Sequence, residues 1–462
     1  MALIRPEAGR WWVLAAMAGV LGLTVLDETV IGVALDTIAA DLSMSSVESH
    51  WVVNAYLLSF TCFVAVAGRL GDVLGLSRLF YVGTAIFALA SLAAGLAQGG
   101  AWLITARAVQ GMGAAIIFPT SIATISRAFQ GEHRGTAFGI QVGIAACFMA
   151  SGPLVGGFFT SVVSWRWIFW INLPIIALIV AMVLAASDRA ANGQDDSAAK
   201  DRHAFDFTGL ALLIGGLCAL VIALMQGVEW GWLSPAILAL FAAGVVLIVV
   251  FVLTELKVSG PLIEVRLLRI STFTGGNIVF AMFQFNKIAI FVFVPLFLQQ
   301  VLNRSAIEAG LGTLAAVVPT LLTSYLSGRS TDRFGSRRPL LVALLVNGLA
   351  ALGIAYGAFQ GSYGWMVGPL IFWGISLPFI ATTSRRSLMS AVPQTHQGQA
   401  SGVNLTIQMM GGTIGMALCS TVLLATGSFG LVFVMTGALL LLTLIVAWLL
   451  VERPGTTPSS TA

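Results

Sequence analysis

The sequence predicts an all-α polytopic membrane protein with fourteen transmembrane helices, and its composition carries that prediction. Apolar residues make up 58% of the 462 residues, whereas Asp, Glu, Lys and Arg together make up only 9%. An ordinary soluble domain is about 25% charged, so this chain lacks the polar residues that would cover a water-facing surface. Because each bilayer crossing takes about 20 mostly apolar residues, the apolar stretches suffice for about fourteen spans with short links. A soluble enzyme is therefore excluded.

Charge clusters divide these stretches into groups of six, two and six. The first span follows Arg5 and Arg10, and its apolar run is too long for a signal-peptide core, so we expect it to be retained. The longest hydrophilic segment follows the sixth span, and a second charged link follows the eighth. The predicted spans lie at about 11–36, 51–69, 79–98, 101–125, 137–160, 166–186, 207–227, 233–254, 271–300, 306–327, 338–359, 363–384, 399–424 and 427–450.

This grouping predicts two six-helix bundles with an inserted transmembrane hairpin between them. The segments between and after the bundles carry the polar residues. The predicted divisions are an N-terminal bundle (1–186), a cytoplasmic linker (187–206), the hairpin (207–254), a second cytoplasmic linker (255–270), a C-terminal bundle (271–452) and a disordered cytoplasmic tail (453–462).

The positions of the 23 Lys and Arg residues predict the orientation. With the N-terminus inside, 19 of them fall on the cytoplasmic side, and only Arg166 and Arg304 fall outside. The remaining two, Arg107 and Lys287, lie within spans. Since cations collect on the cytoplasmic side of short loops, we expect a protein of the cytoplasmic (inner) membrane with both termini in the cytoplasm. The cations form no long basic run, so no nucleic-acid partner is expected.

The chain also repeats itself. Five residues around the end of the second span recur 260 positions later, and three residues around the start of the fifth span recur 263 positions later. Two homologous halves related in this way are typical of transporters whose binding site lies where the halves meet. The pairs are Gly68 and Gly328, Arg69 and Arg329, Asp72 and Asp332, Gly75 and Gly335, Arg78 and Arg338, and then Gly135 and Gly398, Ala137 and Ala400, Gly139 and Gly402.

Five local motifs, in order along the chain, resemble those of the major facilitator superfamily, and specifically its fourteen-span drug:proton antiporter family. The resemblance extends from the first span to the last. Two residues depart from the family pattern: Asp36 stands where the family usually has Pro, and Glu28 adds a second carboxylate beside Asp27. The motifs are LDETVIGVALDTIAADL (26–42), GRLGDVLGLSR (68–78) with its second copy GRSTDRFGSRR (328–338), LITARAVQGMGAA (103–115), ASGPLVGG (150–157) and WRWIFWINLP (165–174).

The resemblance implies a major facilitator fold and efflux of lipophilic or amphiphilic drugs or antibiotics across the membrane by alternating access. Its GPLVGG segment is associated with antiporters rather than symporters, so inward proton flow is the expected energy source and no cofactor is expected. The expected partners are a small lipophilic molecule, protons and membrane lipid, with the monomer as the functional unit. The alternative is an uptake symporter or facilitator for a small metabolite, and Lys287 would favour an anionic one.

Ionisable residues inside spans are the candidates for proton coupling, because charge in hydrocarbon costs several kcal/mol. Asp27 is the acid that the resemblance marks on the first span, and a buried carboxyl group can exchange a proton near neutral pH. Glu28 lies about 100° around the same helix, so it is a second protonation site or a partner of Lys287. Arg107 would favour the ionised form of a nearby acid, or it would bind backbone carbonyls at a helix crossing.

Polar residues on spans are candidates for a substrate cavity. Lys287 would attract an anionic or zwitterionic substrate or would neutralise Glu28, and these alternatives stay open. The other candidates would contact substrate or bind neighbouring helices. They are Asn54, Gln141, Gln284, Asn286, Asn404 and Gln408.

Two further sets are predicted to act mechanically. Small residues let helices approach closely, and Pro removes a backbone hydrogen bond; the resemblance implies that Gly152, Pro153, Gly156 and Gly157 seal the cavity against proton leak. The loop motif would form charge pairs that hold one access state closed. Its residues are Gly68, Arg69, Asp72, Gly75 and Arg78, with Asp332 and Arg333 in the second copy. No metal site and no catalytic constellation are predicted from the sequence.

Overall fold

A computed structural model describes residues 6–129, 134–187, 206–258, 261–392 and 397–451. Within these ranges the regular structure is helical and contains no strand. The predicted cytoplasmic tail and most of the first linker lie outside the described residues. An all-α fold is what a chain in hydrocarbon requires, because a helix satisfies its backbone hydrogen bonds within one segment.

The first half begins with long helices that match the predicted spans and extend beyond several of them. α2 starts with a capping box, in which the side chains of Ser45 and Glu48 each accept a hydrogen bond from the other residue's backbone N–H. The predicted sixth span is two helices, because the chain turns at Ile171. The helices are α1 (Pro6–Asp41), α2 (Ser46–Leu74), α3 (Leu76–Gly95), α4 (Gly100–Ala128), α5 (Arg134–Phe158), a π-helix (Phe159–Val163), α6 (Trp167–Trp170) and α7 (Asn172–Ser187).

The hairpin and the second half follow the same pattern. Asp206 and Ser234 cap the two hairpin helices, and Pro235 occupies the first turn of the second, where its missing N–H costs no hydrogen bond. The helices are α8 (Phe207–Trp230), α9 (Pro235–Glu255), a 3₁₀ helix (Val265–Arg269), α10 (Ser271–Gln300), α11 (Ala306–Phe334), α12 (Arg337–Phe359), α13 (Tyr363–Ser390), α14 (Gln397–Thr426) and α15 (Phe429–Leu450).

Length and composition fit these helices to a bilayer. Thirteen segments of the described chain are long and apolar enough to cross a membrane. The remaining predicted span, 51–69, lies on the 29-residue helix α2. Exposed tryptophans lie at or near helix ends, where their amphipathic rings suit the membrane–water interface. These tryptophans are Trp11, Trp12, Trp102, Trp167, Trp230, Trp232, Trp365 and Trp448.

The chain divides into two compact units. The first comprises Met1–Leu262 and Phe291–Leu314, and the second comprises Ile263–Ile290 and Ala315–Ala462. In the first unit α1 packs on α5, α4 packs on α2 and α3, and α8 of the hairpin lies against α2. In the second unit α12 packs on α13 and α15. The end of α10 and the start of α11 thus belong to the first unit.

Local geometry repeats between the two halves. Gly75 and Gly335 both have a positive φ, 83° and 74°, in the left-handed region that glycine adopts without steric cost. Each separates two consecutive helices. A Cβ at Gly111 would collide with the carbonyl of Tyr56, and a Cβ at Gly374 would collide with the carbonyl of Ala316, which is 260 positions after Tyr56. The two halves therefore use the same close helix packing.

Candidate functional site

The Asp27 carboxylate lies inside the first unit, on α1, and is 1% exposed. Its Oδ2 accepts a hydrogen bond from Nη1 of Arg107 at 2.6 Å, which is also a buried ion pair. Its Oδ1 accepts from Nε2 of Gln110 at 2.8 Å and from Nδ2 of Asn172 at 3.3 Å. Three donors on two other helices, α4 and α7, therefore hold one carboxylate.

Arg107 is equally enclosed, with 1% of its surface exposed. Besides Asp27, its Nη1 donates to Oε1 of Gln110 at 2.6 Å, and its Nε donates to the carbonyl of Val52 on α2 at 3.1 Å. The guanidinium lies over the ring of Tyr56, 4.4 Å from the ring centroid, where the π face attracts a cation. One side chain of α4 thus contacts both an acid of α1 and a backbone carbonyl of α2; the role of Arg107 in proton coupling stays a prediction.

Ser91 on α3 completes the cluster. Its Oγ accepts hydrogen bonds from Nε2 of Gln110 at 2.9 Å and from Nδ2 of Asn172 at 3.1 Å. Ser91 and Gln110 are fully buried, and Asn172 is 1% exposed. We call Asp27, Arg107, Gln110, Ser91 and Asn172 the Asp27 network. With the contact to Val52, this network joins α1, α2, α3, α4 and α7.

Every described contact of the Asp27 oxygens is with a hydrogen-bond donor. Removing one partner of a buried ion pair is strongly unfavourable, by about 3–5 kcal/mol. The pair of Asp27 and Arg107 is therefore a strong link between α1 and α4.

Glu28 and Lys287 are both buried, 9% and 7% exposed, in the first and second units respectively. Lys287 stands 260 positions after Asp27, which is the offset of the loop repeat. The two halves thus carry a carboxylate and an ammonium group at equivalent positions of their first helices. A pairing of Glu28 with Lys287 stays a prediction.

The six polar candidates for the cavity fall into two groups. In the second unit, Asn404 donates to Asn277 at 3.0 Å and Gln408 donates to Gln284 at 3.3 Å, and Nε1 of Trp373 donates to Asn286. These hydrogen bonds join α10 to α13 and α14. In the first unit, Asn54 is fully buried and neither of its amide atoms has a hydrogen-bond partner among the described residues. Oε1 of Gln141 is also buried and has no hydrogen-bond partner among the described residues.

The glycine-proline segment of α5 lies in close contact with α1 and α11. A Cβ at Gly152 would collide with Thr29, and one at Gly156 would lie 2.8 Å from the carbonyl of Val30. A Cβ at Gly157 would lie 2.8 Å from Cα of Ile307, and Gly310 packs against the carbonyl of Pro153. These glycines therefore allow α5 to approach the turn of α1 that follows Asp27.

Of the loop motif, the structure shows the glycine turns but little of the charges. Gly75 and Gly335 form the left-handed turns, and Arg78 and Arg333 are exposed. The side chains of Arg69, Asp72 and Asp332 lie outside the described part of the structure, as do the surroundings of Gly68. Their charge pairing stays a prediction.

Three members of the Asp27 network are not among the residues predicted from the sequence. Gln110 lies three residues after Arg107, so the helical period already places both on one face of α4. Asn172 lies within WRWIFWINLP and Ser91 lies in an apolar span. A lone small polar residue in a span gives no signal of its partner, because that partner comes from a distant helix.

The model of the Major Facilitator Superfamily matches residues 17–206, 204–416 and 276–462. The chain belongs to the Major Facilitator Superfamily. The match covers both halves and the hairpin, which confirms the family expected from the five motifs. It is thus a multi-pass membrane protein of a transporter family.

Several relatives in this superfamily are export and resistance proteins. The chain is 34% identical to the cephamycin export protein CmcT of Amycolatopsis lactamdurans, over 88% of this chain and 83% of the relative. It is 30% identical to the tetracenomycin C resistance and export protein of Streptomyces glaucescens, over 89% of this chain and 75% of that relative. It is 31% identical to the multidrug resistance protein Stp of Mycobacterium tuberculosis, strain CDC 1551 / Oshkosh, over 90% of this chain and 76% of that relative.

A solved structure confirms the fold. The crystal structure of a D-xylose-proton symporter superimposes with a TM-score of 0.68 and covers 96% of this chain and 98% of the symporter chain. The sequence identity is 12%, so the likeness concerns the fold alone.

Proposed function

We propose that this protein is a proton-coupled antiporter that exports lipophilic or amphiphilic drugs or antibiotics across the cytoplasmic membrane. The export function is supported by its relatives, which include export and resistance proteins for cephamycin, tetracenomycin C and multiple drugs. The proton coupling is supported by one observation above others: the buried Asp27 carboxylate is held by Arg107, Gln110 and Asn172.

In the proposed cycle, Asp27 takes up a proton when access opens to the outer side and releases it to the cytoplasm. The neutral carboxyl group no longer attracts Arg107, so the contact between α1 and α4 weakens. Release of the proton restores the ion pair. Because the network joins five helices, the protonation state of one side chain changes the preferred arrangement of all five.

The second half contributes the substrate contacts in this proposal. Lys287 is buried, and its ammonium group would select anionic or zwitterionic groups of the substrate. Both termini in the cytoplasm, a functional monomer and the absence of a cofactor other than the proton gradient belong to the same proposal. Catalysis plays no part in it.

The direct test uses purified full-length protein in proteoliposomes with a pH dye inside. Lipophilic cations, zwitterions and anions are added in turn to the wild type and to Asp27→Asn. We expect proton movement opposite to the transported compound in the wild type and no substrate-driven proton movement in Asp27→Asn, because an amide cannot be protonated near neutral pH. Proton movement in the same direction as the compound would favour the uptake symporter, and substrate flux without protons would favour a facilitator.

Two further variants separate coupling from folding. Asp36→Asn is the matched control on α1, where the carboxylate accepts a hydrogen bond from Gln300 at 2.9 Å, and it should exchange protons as the wild type does. Asp27→Asn combined with Arg107→Gln leaves no unpaired charge in the network, so it should fold yet remain uncoupled. Wild-type proton exchange by Asp27→Asn would remove Asp27 from the mechanism.

A further inference from the structure

A groove lies within the second unit where α11, α12 and α13 come together. It encloses about 380 Å³, a volume within the range of small-molecule sites. Its lining includes Phe334 of α11, Val342 and Val346 of α12, and Ile375 and Phe379 of α13. None of these residues belongs to the Asp27 network or to the predicted cavity.

The groove opens on the outer surface of membrane-spanning helices. Val342 is 62% exposed and Phe334 is 55% exposed, although both side chains are apolar. Exposed apolar side chains on a transmembrane helix contact the hydrocarbon of the surrounding lipid. A groove of this lining therefore suits an acyl chain.

Positive charge lies at one end of the groove. Arg338 is part of the lining and is exposed. It forms no ion pair with an acidic side chain within the described ranges. The guanidinium of Arg333 lies 5.2 Å from the centroid of the Phe334 ring, at the same end. The segment 328–338 holds four arginines and a single acid, Asp332, so the turn between α11 and α12 carries a net positive charge.

We propose that this groove binds an anionic phospholipid of the surrounding membrane, with an acyl chain along α12 and the phosphate at Arg338. Basic pockets between transmembrane helices are suited to anionic headgroups, and an arginine fork fits phosphate geometry. A zwitterionic lipid has the same acyl chains but no net charge, so its headgroup attracts the Arg338 guanidinium less strongly. In the proposed orientation this end of the groove lies in the cytoplasmic leaflet. The preference for an anionic lipid does not depend on that orientation.

Native mass spectrometry of the purified, delipidated full-length chain tests this site. The protein is incubated with equal amounts of phosphatidylglycerol and phosphatidylcholine that carry the same acyl chains, and retained lipid is counted. The wild type should retain phosphatidylglycerol preferentially. Arg338→Gln should retain about fivefold less phosphatidylglycerol than the wild type, as expected for the loss of one arginine at an anionic lipid. The reduction should be smaller for Arg338→Lys.

Matched variants distinguish the groove from general surface charge. Arg78 stands 260 positions before Arg338 in the same motif but does not line the groove, so Arg78→Gln should retain lipid as the wild type does. Val346→Phe keeps every charge and fills the groove, and it should lose retention. Equal retention of the two lipids by the wild type would overturn the proposal, as would equal losses in Arg78→Gln and Arg338→Gln. Transport is not part of the readout, so loss of the Asp27 assignment would leave this result unaffected.

Discussion

Gln110 contacts both members of the buried ion pair. Its Nε2 donates to Asp27 and its Oε1 accepts from Arg107, so the amide fixes the distance and orientation of the two charges. The same Nε2 also donates a hydrogen bond to Oγ of Ser91. One amide on α4 thus positions the acid of α1, the base of α4 and the hydroxyl of α3.

We expect Gln110→Leu to lower the rate of substrate-driven proton movement by about tenfold. Leucine removes a donor that positions the Asp27 carboxylate; a hydrogen bond to a charged group contributes about 1.5–3 kcal/mol, and about 1.36 kcal/mol corresponds to a factor of ten in rate. The measurement is the initial exchange rate in proteoliposomes at one fixed pH.

A control for this loss is Gln226→Leu on α8 of the hairpin. It removes an amide from a span without touching Asp27, so its exchange rate should match that of the wild type. An unchanged rate in Gln110→Leu would show that Gln110 serves packing alone.

At the scale of single side chains, sequence reasoning identified the ionisable members of the site but not its amides. Asp27 and Arg107 are conspicuous because charge inside a span is costly and rare. Asn172 and Ser91 are polar but uncharged, and such residues are common in spans for ordinary helix packing. Their role depends on which helices lie side by side, which the local sequence does not contain.

At the scale of helices, α5 approaches α1 through glycine. Gly152 contacts Thr29, and Thr29 lies two residues after Asp27 on α1. The same pattern recurs in the second half, where a Cβ at Gly411 would collide with Ala281 and one at Gly415 would lie 2.8 Å from Phe285. Close packing of the fifth helix of each half on the first is therefore built into both copies.

We expect Gly152→Ala to reduce transport and to lower the unfolding temperature, because the added Cβ forces α5 away from Thr29. Overpacking of this kind costs about 1–3 kcal/mol. Gly143→Ala on the same helix is the matched control, since a Cβ there meets nothing within 4 Å. Transport rate and thermal unfolding in detergent check both variants, and equal behaviour of the two would contradict a packing role for Gly152.

Helix bounds show what the pattern of hydrophobicity predicts and what it misses. The charge clusters placed the spans correctly, yet α1 and α2 extend several residues past the predicted ends because helices continue into the interface. The break at Ile171, within the predicted sixth span, and the π-helix Phe159–Val163 gave no hydropathy signal. Both depend on local backbone geometry, to which a hydropathy window is insensitive.

At the scale of the whole molecule, the repeat places Asp27 and Lys287 at equivalent positions of α1 and α10. One half carries the proton-binding acid in this proposal, and the other half carries a buried cation. The offset could be read from the sequence, because the loop motif and the glycine turns share it. The sequence left open how each half satisfies its polar residues.

We expect Lys287→Met to lose transport of anionic compounds by about tenfold, as for the loss of about 1.4 kcal/mol of attraction, and to keep transport of lipophilic cations. Removal of a buried cation takes away attraction for one charge class only. Lys257→Met is the control, because Lys257 is an exposed cation after α9. The measurement is uptake of a panel of charged compounds into inverted vesicles, and parallel losses across all charge classes would point to misfolding instead.

The unequal polar chemistry of the two halves has an evolutionary consequence. In the first half, α4 contacts α1 through Arg107 and Gln110, whereas in the second half α13 contacts α10 through Trp373 and Asn286. Duplication supplied two copies of one scaffold, and in our proposal only the first now handles protons. Selection for a new antibiotic can then alter the second copy while the energy-coupling step stays intact, so changes in substrate range should accumulate in α10–α15.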